Sequence, residues 1–399
     1  MAIAAAVVVA EVAVVLLRPR EGLIEPAAVR AESYFSASEI ERARDYQRPQ
    51  LALYGGALLV QIGVLALLVV RPPRRLQGPF RRPLLAGAAT GAALSLTLAV
   101  AVLPLKVIGR ERARDVGLIT QSWSGYARDA AVSWGIGAVI AGAGAAGGLA
   151  LIRRFPRRWW VPGSVVVVAF GVITIYAGPV LLDPLFNKFK ALPAGQVRSD
   201  VLELARTAGV DVGQVYEIDA SRRTTAANAY VTGLGRTKRV VLYDTLIENF
   251  SRDELRLVVA HELGHVHYDD VPLGLLYLAI VAPFGMLAVA RLTGRLAGPD
   301  AAGSPAMLPA LALSVTIMAT TITTISNQYS RAIEARADAF ALQSTHEPEP
   351  FISFERRIAL RNLSDPDPPD WITFLTGTHP PTVQRIGLGV AYERAQRKP

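Results

Sequence analysis

The sequence predicts a mostly α-helical, multi-pass membrane protein carrying a small mixed α/β unit that the last two spans divide in two. Three observations carry that expectation. The 399 residues are 51% hydrophobic and 19% charged, against about 25% charged in an ordinary soluble domain, and the mean hydropathy is +0.32. Apolar runs at or near bilayer length, roughly 20 residues, recur seven times, at 2–17, 51–70, 84–105, 131–152, 160–182, 271–290 and 305–326. Only two hydrophilic stretches, 183–270 and 327–399, are long enough to fold, and they hold all five histidines. The expected division is therefore five N-terminal spans in 1–182, a first hydrophilic part in 183–270, spans six and seven in 271–326, and a second hydrophilic part in 327–399.

The first run is short and contains Glu11; with no basic residue before it and Arg18 and Arg20 after it, it reads as an uncleaved span entering from outside rather than a signal peptide. The fourth run is rich in Gly and Ala. Its Gly144/Gly148 spacing suits close helix approach and equally suits a loosely packed span. Trp159 and Trp160 stand where an interfacial aromatic belt would lie. The charge rule does not orient the chain, because the short loops on either side carry eleven Lys/Arg each. Parity is firmer: with seven spans, 183–270 and 327–399 fall on the same side. The net charge of +9 reads as Arg-rich loops facing anionic lipid, with no nucleic-acid partner. The absence of cysteine excludes disulfides and thiolate metal sites.

Within 183–270, "GQVRSDVLELARTAG" is an amphipathic helix closed by Gly209, "QVYEIDA" a short strand, and "ANAYVTGLGRTKRVVLYD" a hairpin. Asp244 is expected to cap the helix that follows. Ser251 and Glu254 have the spacing of a capping box, so a helix starts there on grounds independent of any motif inside it.

That helix contains "HELGH". His261 and His265 lie four residues apart on one face, where both can turn a ring nitrogen to one metal ion. Glu262, about 100° round the helix, is placed to take a proton from water at that metal. With five histidines in 399 residues, chance gives the pattern in roughly three sequences per thousand of this composition. A catalytic zinc usually has three protein ligands. After the seventh run, "SNQYSRAIEARADAFALQ" places Asn327, Arg331, Glu334 and Asp338 on one helix face opposite an Ala-rich one. Glu334 is the candidate third ligand, and Asp338 a candidate acceptor for a ligand histidine's second nitrogen. Residues 227–230, "ANAY", could pair with an extended peptide if their strand is an edge; a plain hairpin fits as well. In "THPPTVQRIG", His379 could donate to an oxyanion and Arg385 pair with Glu334 or Asp338, although each taken alone reads as an ordinary loop histidine and surface arginine. His267 and His346 read as surface residues.

Taken together, "DPLFNKF", "SRRTTAANAYVTG", "KRVVLYDTLI", "AHELGH", "NQYSRAIEARADAFAL" and "THPPTVQRI" resemble the type I integral-membrane CAAX prenyl endopeptidases, which are zinc metallopeptidases. The resemblance is dense from about residue 183 onward and extends more loosely to "YFSASEIERARDYQRP" and the seven spans. It implies a ring of helices enclosing a water-filled chamber and one zinc ion per chain held by His261, His265 and Glu334, with Glu262 as base. It also implies Asn228, Ala229 and Tyr230 along the substrate, His379 near the reacting carbonyl, and Asn327, Asp338 and Arg385 in support. The implied partners are membrane lipid and a peptide or protein substrate, which in that family is prenylated at its C-terminus. The implied location is the plasma membrane with the site on the cytoplasmic side. Two other readings are a quality-control peptidase resembling the heat-shock membrane peptidases, and a transporter or channel with a structural zinc.

Overall fold

The structure, a computed structural model, is described for residues 1–76, 80–233 and 238–397. Fourteen α-helices and four strands are defined among these residues. The membrane part opens with α1 (Ala2–Leu17), α2 (Ala37–Val70), α3 (Pro83–Asp115), α4 (Trp123–Arg154) and α5 (Trp160–Leu181), followed by the short α6 (Asp183–Phe186). The folded unit begins with β1 (Phe189–Ala191), α7 (Gln196–Thr207), β2 (Gln214–Ile218), β3 (Ala229–Thr232), β4 (Arg239–Tyr243), α8 (Asp244–Asn249) and α9 (Arg252–His267). The chain returns through α10 (Asp270–Ala297) and α11 (Leu308–Thr345), then finishes with α12 (Pro348–Arg361), α13 (Asp370–Thr376) and α14 (Thr382–Gln396).

Six of the helices are long and apolar enough to cross a bilayer, which makes this a multi-pass membrane protein. The expected first span is the 16-residue α1, below that length; it lies along α10 and α11. Close helix approach occurs in the first half of the chain, though not at the expected glycines. A Cβ on Gly91 of α3 would sit 2.5 Å from Ala141 O of α4, whereas nothing lies within 4 Å of one built on Gly144. Trp159 is buried beside Ala288 and Met307, so only Trp160 is left to serve an interface.

The four strands form one sheet in the order β1-β2-β4-β3, with β2 and β4 parallel and the other pairs antiparallel. β3 is therefore an edge strand. The hairpin turn expected between β3 and β4 falls on residues 234–237, outside the described residues. Gly209 closes α7 with φ +70°, as a helix stop requires. Asp244 is the first residue of α8, one place beyond the expected cap. Its carboxylate is occupied by Ser221 N–H (2.9 Å) and Oγ (2.5 Å) and by Thr245 N–H (2.8 Å), which ties the helix start to the turn before β3.

The core of this unit is built from Val201 and Leu204 of α7, Val215 of β2, Val240 and Leu242 of β4, Leu246 of α8 and Phe354 of α12. From α9 it takes Leu255, Val259 and Leu263, spaced by four residues along one stripe. Each such side chain contributes about 1.5–3 kcal/mol on burial. Burying that stripe turns the histidine-bearing side of α9 toward α11.

Candidate active site

α9 starts as its sequence requires. Ser251 N–H donates to the Glu254 carboxylate (2.8 Å) and Glu254 N–H to Ser251 Oγ (3.3 Å). The face of α11 that carries Glu334 and Asp338 packs on α9, where Ala341 and Leu342 cluster with Leu257 and Ala260, and Ala337 beside them is fully buried. Gly264 permits the approach: a Cβ there would meet Phe340 at 3.1–3.3 Å. The close neighbour that this glycine admits is thus an aromatic ring of α11.

The packing brings Glu334 onto the two histidines. Glu334 Oε2 lies 3.2 Å from His261 Nε2, Oε1 lies 3.7 Å from His265 Nε2, and the two Nε2 atoms are 3.2 Å apart. One atom from each of the three lies within 4.8 Å of the others. The outer nitrogens are both engaged by carboxylates, His261 Nδ1 by Asp338 Oδ1 and His265 Nδ1 by Asp270 Oδ2, each at 2.8 Å. A carboxylate accepting from Nδ1–H leaves Nε2 as a lone pair. With both rings neutral, as metal ligation requires, two lone pairs and a carboxylate face one point. Buried Glu334 Oε2 has no hydrogen-bond partner among the described residues. Two imidazoles and one carboxylate are the ligand set of a catalytic, four-coordinate zinc site with one position open, and these residues fit it.

Asp338 is fully buried and held by Arg385 through Nε (2.7 Å) and Nη2 (2.5 Å). Of the two partners the sequence left open for Arg385, the structure selects Asp338. Arg385 Nη1 also reaches Glu355 Oε2 at 3.0 Å. Burial raises the Glu355 carboxyl to about 7 against the pull of Arg385. Asp270 owes its place to a chain reversal: α9 ends, Asp269 adopts φ +53°, and α10 starts at Asp270. Arg336 bonds to Asp270 and lies over the Tyr268 ring at 4.2 Å. Sequence reasoning missed Asp270, Arg336 and Glu355. An Asp five residues after the second histidine was a usable signal for the first; Glu355 carried none.

Glu262 lines a cavity of about 110 Å³ together with Asn228, His261, Asp338, His379 and Arg385. Burial raises its carboxyl, partly offset by the two histidines, in the direction a general base at neutral pH requires. His379 Nε2 lies 3.2 Å from Glu334 Oε2, and burial lowers its pKa. Asn327 donates to Leu375 O (3.1 Å), and Arg331 donates to Thr373 O (2.9 Å) and Gly377 O (2.6 Å). Both hold the segment leading to His379 and stand apart from the Glu334 cluster.

Asn228 sits just before the edge strand, its carbonyl accepting from Tyr243 N–H of β4 at 3.1 Å. By the alternation of an antiparallel pair, the main-chain groups of Ala229 and Val231 then face the open edge. The Asn228 side chain accepts from Ala229 N–H (2.9 Å), and Tyr230 OH turns away to Asp183 (3.0 Å). His267 pairs with Ala208 O (3.0 Å) and His346 with Tyr392 OH (2.7 Å), both away from the cluster.

A histidine–glutamate cradle set against membrane helices, with a carboxylate beside it and an open strand across it, defines a membrane metallopeptidase. The chain belongs to peptidase family M48: the family's model matches residues 191–388, and a model described as the CAAX prenyl protease N-terminal region of five membrane helices matches residues 26–188. It is 32% identical over 300 residues to the uncharacterized metalloprotease YhfN of Bacillus subtilis, covering 73% of this chain and 70% of that protein. It is 31% identical over 232 residues to a CAAX prenyl protease 1 homolog of Oryza sativa subsp. japonica, covering 56% of this chain and 53% of that one. The chain thus spans about half the length of that plant relative. Its fold is similar to the crystal structure of S. mikatae Ste24p, with a TM-score of 0.73 at 19% identity over 97% of this chain and 96% of that one.

Proposed function

We propose that this membrane metalloendopeptidase works with one zinc ion held by His261, His265 and Glu334. The observation that carries the reading is the pair of Nε2 atoms 3.2 Å apart, facing Glu334 while Asp338 and Asp270 hold both Nδ1 atoms. Zinc, when bound, supplies a Lewis acid and lowers the pKa of water to about 7. Glu262 takes the proton of the attacking water and returns it to the leaving amine. His379 donates toward the carbonyl oxygen as charge develops there. Asn228, Ala229 and Tyr230 lay the peptide along the β3 edge, and Asn327, Asp338 and Arg385 keep the ligands and the His379 segment in place.

In this reading the peptidase unit comprises 183–270 and 327–399, interrupted by the spans in 271–326. If α1 is a span entering from outside the plasma membrane, parity puts both parts on the cytoplasmic side. Peptides or proteins are the substrate class. The name shared by the CAAX prenyl protease relatives supports C-termini carrying a lipid as one group within it. A structural zinc in a transporter would more often be closed by four protein ligands, and the three-ligand cradle beside an open strand does not favour it.

The test is Glu262→Gln. The variant should keep zinc and lose about 10²–10⁴-fold of peptide hydrolysis. Hydrolysis equal to the native rate would overturn the reading.

A further inference from the structure

The segment that joins α1 to α2 crosses both supports of the histidine pair. α1 lies along α10 and α11, and the chain leaves it at Leu17 without regular structure until Ala31. Gly22, at φ +72°, turns against the junction of α9 and α10: a Cβ there would lie 2.8 Å from Tyr268 Oη and 3.6 Å from Arg336 Cγ. The Ile24 side chain then packs among Leu257 and Ala260 of α9, Ala341 and Leu342 of α11, and Leu388 of α14. Ala27 N–H donates to Gly387 O of α14 at 2.9 Å. Gly387 is buried under this crossing, and a Cβ on it would run into Ala27 O.

Both ends of the crossing are secured. Leu17 packs on the cluster that holds Tyr277, Ile325 and Tyr329. Beyond Ala27, Ala31 and Phe35 are buried with Ala359 of α12 and Ile386 of α14. Arg356 donates from Nε to Tyr34 O (2.6 Å) and from Nη2 to Glu39 (3.0 Å), and Arg44 pairs with Asp365 at 3.1 Å. From Gly22 to Ala27 is at most about 17 Å of chain, and Ile24 pins it in the middle.

The two contacts fall on opposite sides of the cradle. Gly22 meets Tyr268 and Arg336, and Arg336 bonds to Asp270, the carboxylate behind His265. Ala27 meets α14 two residues beyond Arg385, which holds Asp338, the carboxylate behind His261. We propose that residues 22–27 are a brace that fixes the spacing of these two carboxylates, with Gly22 and Gly387 as its positioning residues. The brace acts through Arg336 and Arg385 on the orientation of the two imidazole rings, and so on metal affinity and ligand geometry. The cavity beside Glu262 is lined by other segments, so peptide affinity should not depend on it. The brace presupposes the zinc cradle proposed above.

The experiment uses the full-length protein with two residues, Gly-Ser, inserted between Glu25 and Pro26. This insertion slackens the crossing without replacing a contact residue, and lengthening a loop so little costs little stability. The same insertion between Ala194 and Gly195, in the exposed stretch before α7, is the control. Zinc affinity is read by competitive chelation, ligand geometry by the d–d absorption bands of the cobalt-loaded protein, and kcat and KM with a quenched fluorogenic peptide. Slackening the crossing should weaken zinc binding about tenfold, change the cobalt bands and lower kcat with KM unchanged, while the apoprotein unfolds at the native temperature. Gly387→Ala, which pushes Ala27 off α14, should do the same. So should Gly22→Ala, which is strained at a positive φ and crowds Tyr268. If either glycine variant fails to fold, the insertion decides alone. Native zinc affinity and native cobalt bands in the protein slackened at Pro26 would overturn the brace while leaving the peptidase reading intact. An equal loss of affinity in the control would overturn it too. A native protein that binds no zinc, or that cleaves no faster than Glu262→Gln, would overturn the peptidase reading and the brace with it.

Discussion

The two sides of the histidine pair are built differently. His261 rests on Asp338, and behind Asp338 lies an ion network that joins three helices: Arg385 of α14 stands between Asp338 of α11 and Glu355 of α12. That side sets two buried carboxylates against one guanidinium. His265 rests on Asp270, which has one cation among the described residues, Arg336 of α11, itself stacked on Tyr268. That side is balanced one to one and belongs to the junction between α9 and α10. In "HELGH" the two histidines look equivalent. Their supports show that one is secured by the chain beyond the last span and the other by a turn five residues away. Removing support should therefore cost more on the His261 side.

Glu334 belongs to both sides, so its loss should have the largest effect. Glu334→Ala should leave the protein without stoichiometric zinc by elemental analysis; full zinc occupancy would dissolve the cradle. Asp338→Ala comes next, because it frees the His261 ring and leaves Arg385 with Glu355 alone. Expected are about 10–100-fold weaker zinc binding and a loss of about 3–5 kcal/mol from the broken buried pair, read by competitive chelation and thermal unfolding. Asp270→Ala should fall at the low end of the affinity range, about tenfold, with a smaller loss of stability because Arg336 keeps its stacking on Tyr268. A larger effect for Asp270→Ala than for Asp338→Ala would reverse the comparison.

Glu355 sharpens the contrast through pH. Burial lifts its carboxyl from 4.5 to about 7 in the folded protein. A raised carboxyl pKa means that the folded state holds the proton more tightly. The contribution to stability is then full below pH 4.5 and is lost as pH rises through 7. Glu355→Gln should remove this dependence, so the native unfolding temperature should fall relative to the variant's between pH 4.5 and 7. Parallel curves would mean that the excess negative charge is absent. At the bottom of the scale, His267→Ala should leave zinc content unchanged, since its ring pairs with Ala208 O and packs on Tyr268 and Phe340, away from the cluster.

Local signals made one half of this site legible. The capping box fixed where α9 begins, the four-residue spacing placed His261 and His265 together, and the polar face of α11 pointed to Glu334 and Asp338. Those signals left open whether the strand expected at 227–230 was an edge, which the sheet order shows it to be. Asp270 was obscured because it follows Asp269, whose left-handed conformation cannot be read from a helical pattern. Glu355 looked like any glutamate on an amphipathic helix, since α12 gives no sign that this carboxyl is buried against Arg385. The GxxxG spacing in α4 misled for the opposite reason. It named a motif, while close contact depends on which face a neighbour meets, and that face carries Gly142. The crossing of the α1–α2 segment was equally hidden, because contacts between residues 22–27 and α14 leave no local trace in either stretch.

The helix that carries Glu334 is also one uninterrupted piece from Leu308 to Thr345. At 1.5 Å per residue, Glu334 stands about 40 Å from that helix's start. The proposed third metal ligand therefore sits far along one continuous helix from its membrane end. A tilt of about one degree about the far end moves the carboxylate by roughly 0.7 Å, by the same helix length. Helices tilt to match the thickness of the lipid around them. Under the proposed zinc reading, the thickness of the membrane and the placement of Glu334 would then be linked through a single helix.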